Sequence, residues 1–519
     1  MKTIPLILNL TIAVALIGQA PPPSKPLSPS DMPHIQTLSR TVQSLRQSAK
    51  LTGVAEGTTD KLMEAANALI AGGQAGEARR KLGHAQALIT GAPWETKDEF
   101  IWSLAFRSRQ IVMEPTHPLL VELSQIYSAP YPAATALRVR LNLFSAARDS
   151  KLIRELGVFD IASRDLITEP AIAQFDLNGT PNGTYRLIAE AVDGGNTLVT
   201  LQQSIAIAKG IEFQASDVEK RLSKIKGKDS AKASVRWPFH MARVVNLGIR
   251  KLETNDFGLP ESGAQYFDFG KELRESQELL TALEAGKDPL FRAKGDHERH
   301  YWLAEAGEIM PYRVYVPSTW DGKKQLPMIF VLHGTTRDHN FYFDRDGGLL
   351  AKLAEKNGYL VATTMGYRPN AGYNAGRVSV RREGELSEQD AMQSLELIVK
   401  EFNPDPSRIY LFGHSAGGTG GWYLGSKYAE RFAGLALSAF GTQPAVVPFD
   451  RLKGMPLLVI VGSKDSPRTV ETVRTMAKAV AEKGFQTQFL EVPEATHDTI
   501  VSQALPTVFQ FFTTHRRQQ

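Results

Sequence analysis

Between Tyr301 and the C-terminus, four short segments are apolar almost without interruption: Met328–Leu332, Tyr359–Thr363, Arg408–Phe412 and Pro456–Val461. A strand with one wet face alternates polar and apolar residues, so strands that do not alternate must be covered on both faces. Stretches with helical spacing fall between the runs, for example residues 386–402. This pattern requires an α/β fold, a mainly parallel sheet with helices on both sides. Pro311–Pro317 does alternate and reads as a half-buried strand of the same unit.

The residues that carry chemistry stand at the ends of these runs. After Arg408–Phe412 comes Gly413-His414-Ser415-Ala416-Gly417, then Gly418 and a helical stretch with Trp422, Tyr423 and Leu424. A serine on a strand-to-helix elbow needs small neighbours because the turn is strained, and the helix N-terminus behind it favours developing negative charge. Past Pro456–Val461 comes Gly462-Ser463-Lys464-Asp465, a carboxylate just beyond a strand end. Past the strand Thr487–Val492 comes Pro493-Glu494-Ala495-Thr496-His497. Serine, then aspartate, then histidine is the chain order of α/β-hydrolases. Asp498 and Asp450 are rival carboxylates, and His515 is a rival histidine in a polar tail. His333 and His414 read as structural members of their motifs.

From about Tyr301 to Phe512 the chain resembles the secreted α/β-hydrolase esterases that include feruloyl esterases and polyhydroxybutyrate depolymerases, with kinship to prolyl oligopeptidase-type catalytic domains. The matching residues are Tyr312-Arg-Val-Tyr-Val-Pro317, Leu332-His333-Gly334, Gly413-His-Ser-Ala-Gly-Gly418 with Trp422-Tyr423, Gly462-x-x-Asp465, and His497. The resemblance implies that Ser415 is the nucleophile, His497 the proton carrier and Asp465 its orienting acid. It places the oxyanion donors at the backbone N–H groups of Ala416 and of the loop after His333-Gly334, at Thr335. The fuller His-Gly-Gly-Gly form is absent here, because Thr335-Thr336 follows Gly334.

The segment 366–383, rich in Gly, Asn, Tyr and Arg, follows a strand end, and loops there line clefts in open α/β sheets. Tyr367, Tyr373 and Arg377 are therefore the expected substrate contacts. Asp344–Gly348 lacks the later ligands of a calcium loop and reads as a turn, while His297-Glu298-Arg299-His300 offers too few ligands for zinc. Neither a metal nor a cofactor is expected.

The preceding 290 or so residues read as accessory modules. Over residues 31–92 apolar positions step by three and four (Ile35, Leu38, Val42, Leu45; Leu62, Ala66, Leu69, Ile70; Ala78, Leu82, Ala85, Leu88), which predicts a small helical unit. Over residues 106–212 the period becomes two, as in Leu137–Leu141 and Tyr185–Ala191, with tight turns at Asn178-Gly179, Asn182-Gly183 and Gly194-Gly195. Strands so spaced suggest an immunoglobulin-like β-sandwich, and Asn182–Leu201 resembles the closing strands of bacterial modules of that kind. Residues 213–290 return to helical spacing as a connection, and residues 291–515 form the catalytic domain.

Met1–Thr3, apolar Ile4–Ile17 and Gly18-Gln19-Ala20 have the form of a signal peptide over residues 1–20, followed by a Pro/Ser-rich tether over 21–30. The other reading is an uncleaved N-terminal anchor; both export the body, to the periplasm or the exterior, with no stable span after processing. The 519 residues contain no Cys, which removes disulfides, a thiolate nucleophile and a lipidated cysteine. A net charge of +5 without a Lys/Arg block argues against a nucleic-acid partner. The expectation is an exported serine esterase acting on a small ester or a polysaccharide-linked acyl group. The alternatives are a prolyl oligopeptidase-type serine peptidase, disfavoured because no blade-length repeats for a propeller precede the domain, and a catalytically silent polymer- or surface-binding protein.

Overall fold

The structure, a computed structural model, describes residues 35–49, 51–130, 137–146, 150–161, 166–251, 268–375 and 381–517. The signal peptide, the tether and Arg377 lie outside the described residues.

Three helices open the described chain: α1 (Ile35–Ser48), α2 (Gly53–Ala71) and α3 (Ala75–Thr90), followed by a short α4 (Thr96–Ser103). Their three-and-four stripes are the faces that pack, with Leu38, Val42, Ala66, Ala78, Leu82 and Ala85 fully buried together. Eight strands follow: β1 (Leu104–Ser108), β2 (Val112–Met113), β3 (Leu119–Gln125), β4 (Leu137–Ser145), β5 (Leu152–Asp160), β6 (Ala171–Phe175), β7 (Gly183–Asp193) and β8 (Asn196–Ile207). They form a three-stranded sheet, β1-β3-β6, and a five-stranded sheet, β2-β8-β7-β4-β5. All the pairings are antiparallel except β2 with β8. Alternation decides which residues face inward. Leu137, Val139 and Leu141 are buried while Arg138 and Arg140 between them are exposed. Phe106 and Leu123 of one sheet share a core with Leu141, Leu187 and Leu201 of the other, and the α1–α3 helices pack on the same core.

Three helices, α5 (Ile211–Leu222), α6 (Asp229–Lys251) and α7 (Phe269–Glu284), enclose a core of their own around Val235, Leu280 and Leu283. A second cluster, with Trp237, Met241 and Phe269, joins them to Val112 of the small sheets and to Ile309 of the large one.

The large sheet has eight strands: β9 (Gly295–Leu303), β10 (Glu308–Val316), β11 (Met328–Leu332), β12 (Leu360–Thr364), β13 (Ile409–His414), β14 (Gly434–Ser438), β15 (Leu457–Gly462) and β16 (Thr487–Val492). Their order is β16-β15-β14-β13-β11-β12-β10-β9, parallel from β16 to β12 and antiparallel at β10 and β9. Six helices accompany it: α8 (Phe341–Asp344), α9 (Leu349–Asn357), α10 (Arg381–Phe402), α11 (Ala416–Lys427), α12 (Pro467–Glu482) and α13 (Ile500–Thr514). Helices α10, α11 and α12 cover one face and α8, α9 and α13 the other, so both faces of each central strand are dry. In β13, Ile409 and Leu411 enter the first core while Tyr410 and Phe412 enter the second. The chain is thus an α/β protein with a mixed sheet.

Two strands carry no sequence signal of this kind. In β9, Asp296, His297, Glu298, Arg299 and His300 stand where apolar residues would mark a strand. Its burial is made polar instead, with Arg299 almost wholly buried and its Nη1 donating to both oxygens of Glu401 at 2.7 and 2.8 Å. In β14 three of the five residues, Gly434, Ala436 and Ser438, are too small to stand out.

Burying a large apolar side chain contributes about 1.5–3 kcal/mol, and its truncation leaves a cavity as well. Leu411→Ala, in the central strand, should therefore cost about 2–5 kcal/mol by urea unfolding. Leu152→Ala on the exposed face of β5 should change stability by less than about 0.5 kcal/mol.

Candidate active site

Ser415 stands between the last residue of β13 and the first of α11, at φ 58° and ψ −120°. Such a conformation costs a non-glycine residue about 1–3 kcal/mol and persists only where its surroundings impose it. Here they do. A methyl group on Gly417 would lie 2.1 Å from the Leu332 carbonyl oxygen, and one on Gly413 would lie 2.1 Å from the Gly417 carbonyl oxygen. The strand, the turn and the helix meet backbone to backbone, which is why the motif tolerates no side chains at those two positions. The Ser415 N–H donates to the Ser438 carbonyl at the end of β14 (2.9 Å), fixing the elbow from the side.

His497 Nε2 lies 3.0 Å from Ser415 Oγ, and His497 Nδ1 lies 2.7 Å from Asp465 Oδ2. Asp465 is nearly all buried and its Oδ1 accepts the Ser466 N–H at 2.6 Å; the His497 side chain is 35% exposed and open to an incoming molecule. The acid and histidine loops are joined along their backbones. The Ser463 N–H donates to the Val492 carbonyl (3.0 Å) and the Lys464 N–H to the Ala495 carbonyl (2.9 Å). The approach is so close that a methyl group on Gly462 would lie 2.2 Å from the Ala495 carbonyl oxygen.

The rival residues are engaged elsewhere. The Asp498 carboxylate faces Arg337 at 3.9 Å and its carbonyl accepts from Arg345. Asp450 lies in the turn 449–452, and the His515 ring contacts Phe511 at the far end of α13. His414 is buried beneath His497, ring centroids 4.7 Å apart. Burial, and then the neighbouring His497 ring, hold its imidazole well below the usual value, so it stays neutral. His333 spans the Gly334 and Met365 carbonyls at 2.9 and 2.8 Å, and burial lowers its pKa as well.

Ala416 is the first residue of α11, where backbone N–H groups have no intrahelical partner. Thr335 follows Gly334, and a methyl group on Gly334 would sit 3.2 Å from Ser415 Cβ. Among the described residues neither the Ala416 nor the Thr335 N–H meets an acceptor. Two unspent donors thus flank the serine.

Two of the expected substrate contacts need correction. Tyr373 is 2% exposed, lies against α11 and accepts the His333 N–H on its hydroxyl at 3.0 Å. It is a wedge under the loop that follows β11 and has no surface to offer a ligand. Tyr367 is 9% exposed, donates to Glu308 Oε1 at 3.2 Å and lies beneath the Arg368 guanidinium; the small cleft it lines, with Trp237, His240 and Glu308, includes none of Ser415, Asp465 and His497. Both sit at positive φ. Their chemistry suited a cleft, but aromatic rings on a glycine-rich loop are equally suited to filling the space beneath it.

Sequence reasoning missed two features here. One is a cleft of about 980 Å³ between α7, β9 and the segment 336–345, whose lining includes Glu272, Glu298, Arg313, Arg337 and Phe341 but none of Ser415, Asp465 and His497. Burial and the neighbouring Glu298 raise Glu272 to about 7. The other is Arg40 of α1, which reaches the loop after β11 across 295 residues of chain. No local pattern signals either, because both arise from the docking of modules.

No family model matches the sequence. Over 178 residues it is 25% identical to a bifunctional acetylxylan esterase/xylanase from Neocallimastix patriciarum, a match covering 34% of this chain. The chain spans about a quarter (24%) of that relative's length. Among solved structures, a ferulic acid esterase from Anaeromyces mucronatus matches 42% of this chain and 90% of its own at 14% identity and TM-score 0.35. A thermostable esterase matches 80% of this chain and 100% of its own at 14% identity and TM-score 0.37.

Because the acid and histidine loops touch through backbone at Gly462, Gly462→Ala should force them apart and lower stability by about 1–3 kcal/mol. Gly441→Ala, where a methyl group meets nothing within 4 Å, should be close to neutral in the same thermal or urea unfolding measurement.

Proposed function

We propose that the protein is a serine hydrolase that cleaves carboxylic esters through an acyl-enzyme. The observation that carries this reading is the hydrogen-bonded chain Asp465–His497–Ser415, set on a strained elbow between two unspent backbone donors.

In this reading the Asp465 carboxylate accepts His497 Nδ1–H, which leaves the Nε2 lone pair facing the serine hydroxyl. Ser415 Oγ attacks the ester carbonyl carbon as its proton passes to His497 Nε2, and Asp465 stabilises the imidazolium so formed. The carbonyl oxygen becomes an oxyanion held by the Ala416 and Thr335 N–H groups. Collapse of this intermediate breaks the bond to the alcohol, which leaves with the proton from His497. Water, activated by the same imidazole, attacks the acyl-enzyme, releases the carboxylic acid and restores Ser415.

The sequence relation to an acetylxylan esterase/xylanase supports an acyl group on a plant polysaccharide as substrate, with short aliphatic esters as simple surrogates. The signal-like segment 1–20 supports export, and the two-sheet body between α4 and α5 fits the immunoglobulin-like module read from its turns. The motif set over residues 301–512 supports a likeness to the secreted α/β-hydrolase esterases.

Purified protein should hydrolyse p-nitrophenyl acetate and butyrate, and Ser415→Ala should abolish this. Asp465→Asn should lower kcat by about 10⁴-fold, because the imidazole is then held in the wrong tautomer. Methyl ferulate should be cleaved faster than prolyl or alanyl amides; the reverse ranking would favour a peptidase.

A further inference from the structure

Two consecutive peptide units follow β11, and both are held from outside. In the first, between Gly334 and Thr335, the carbonyl accepts the Arg337 N–H at 3.2 Å. In the second, between Thr335 and Thr336, the N–H is taken by the Asn370 side-chain oxygen at 3.0 Å and the Pro369 carbonyl at 3.2 Å. The carbonyl of that second unit accepts Arg40 Nη1 at 3.1 Å, and the other Arg40 nitrogen meets Thr336 Oγ1. A trans peptide points its C=O and N–H in opposite directions. Holding both ends of the second unit therefore fixes its plane. With the first carbonyl also occupied, the Thr335 N–H is, among the described residues, the one donor of the two units left for a ligand.

Arg40 is not a member of the α/β unit. It lies on α1, whose Leu38 and Val42 pack inward with α3 while Arg40, on another face, turns away from that core. Burial, then the nearby Arg337, lower its pKa to about 10, and Asp498 opposes them, so the guanidinium stays charged in neutral solution. A charged donor makes a stronger hydrogen bond to a carbonyl than a neutral one.

We propose that Arg40 is a positioning residue for the active site: by gripping the Thr335 carbonyl it fixes the peptide unit that follows Thr335, which restricts rotation about Thr335 and keeps the N–H of the preceding unit aimed at the oxyanion, so that the N-terminal helical unit completes the catalytic centre. This inference rests on the reading of Ser415 as nucleophile and of Thr335 as the second donor. It gives the helical unit a task. The second oxyanion donor is held by a side chain from the far end of the sequence, and the helical unit contributes to turnover without contacting substrate.

The test is steady-state hydrolysis of p-nitrophenyl butyrate by the full-length protein with Arg40→Ala, Arg40→Lys and Arg46→Ala. Loss of one oxyanion donor costs about 10²–10³ in kcat, and a misaimed donor costs less. Arg40→Ala should lower kcat by about tenfold to a hundredfold with KM within about twofold, and millimolar methylguanidinium should restore part of it. Arg46→Ala, which removes another α1 arginine paired with Glu56 and Asp60 inside the helical unit, should stay within about threefold of the parent. If Arg40→Ala does not fold, Arg40→Lys decides, since one ammonium can still hold one carbonyl: kcat should fall by about threefold to tenfold at unchanged KM. An unchanged kcat, or a loss carried by KM alone, would overturn the proposal. Activity surviving in Ser415→Ala would instead overturn the reading on which it rests.

Discussion

The site depends on one close packing of backbone, where β13 turns into α11 against the end of β11. Gly413 and Gly417 bring carbonyl oxygens to within 2.1 Å of where a methyl group would stand. That approach holds Ser415 at φ 58° and lifts its hydroxyl clear of the sheet. About 1–3 kcal/mol of backbone strain is stored at the serine and is offset by the dry packing on both faces of the sheet. Because β13 is a central strand, its residues Tyr410, Leu411 and Phe412 anchor the elbow in two cores at once.

The other parts of the site are fastened to this point by backbone contacts as well. The acid loop after β15 and the histidine loop after β16 are zipped at Gly462 and Ala495, which ties the positions of Asp465 and His497 together. The loop after β11 is wedged from below by Tyr373 and gripped from above by Arg40. Such a site is organised before substrate arrives, which suits chemistry that relies on aimed hydrogen bonds.

The sequence made some of this legible, for physical reasons. Unbroken apolar runs mark strands buried on both faces, and Met328–Leu332 and Leu457–Gly462 are such strands. Serine, aspartate and histidine could be placed because each follows a strand end. What stayed hidden depends on contacts between distant segments. The β9 strand is buried through Arg299 and Glu401, a pairing no local pattern shows. Tyr373 has the residue type of a cleft wall and the burial of a core, and only packing tells these apart. Arg40 is one arginine on an amphipathic helix until α1 is seen beside the loop after β11.

The central claim is that Ser415 is the atom acylated during turnover. Reaction with a fluorophosphonate followed by peptide mass spectrometry tests it most directly. The account predicts one adduct per chain, on the peptide carrying Ser415, with loss of ester hydrolysis in proportion to labelling. An adduct on another residue, or full hydrolysis by a protein labelled at Ser415, would contradict it.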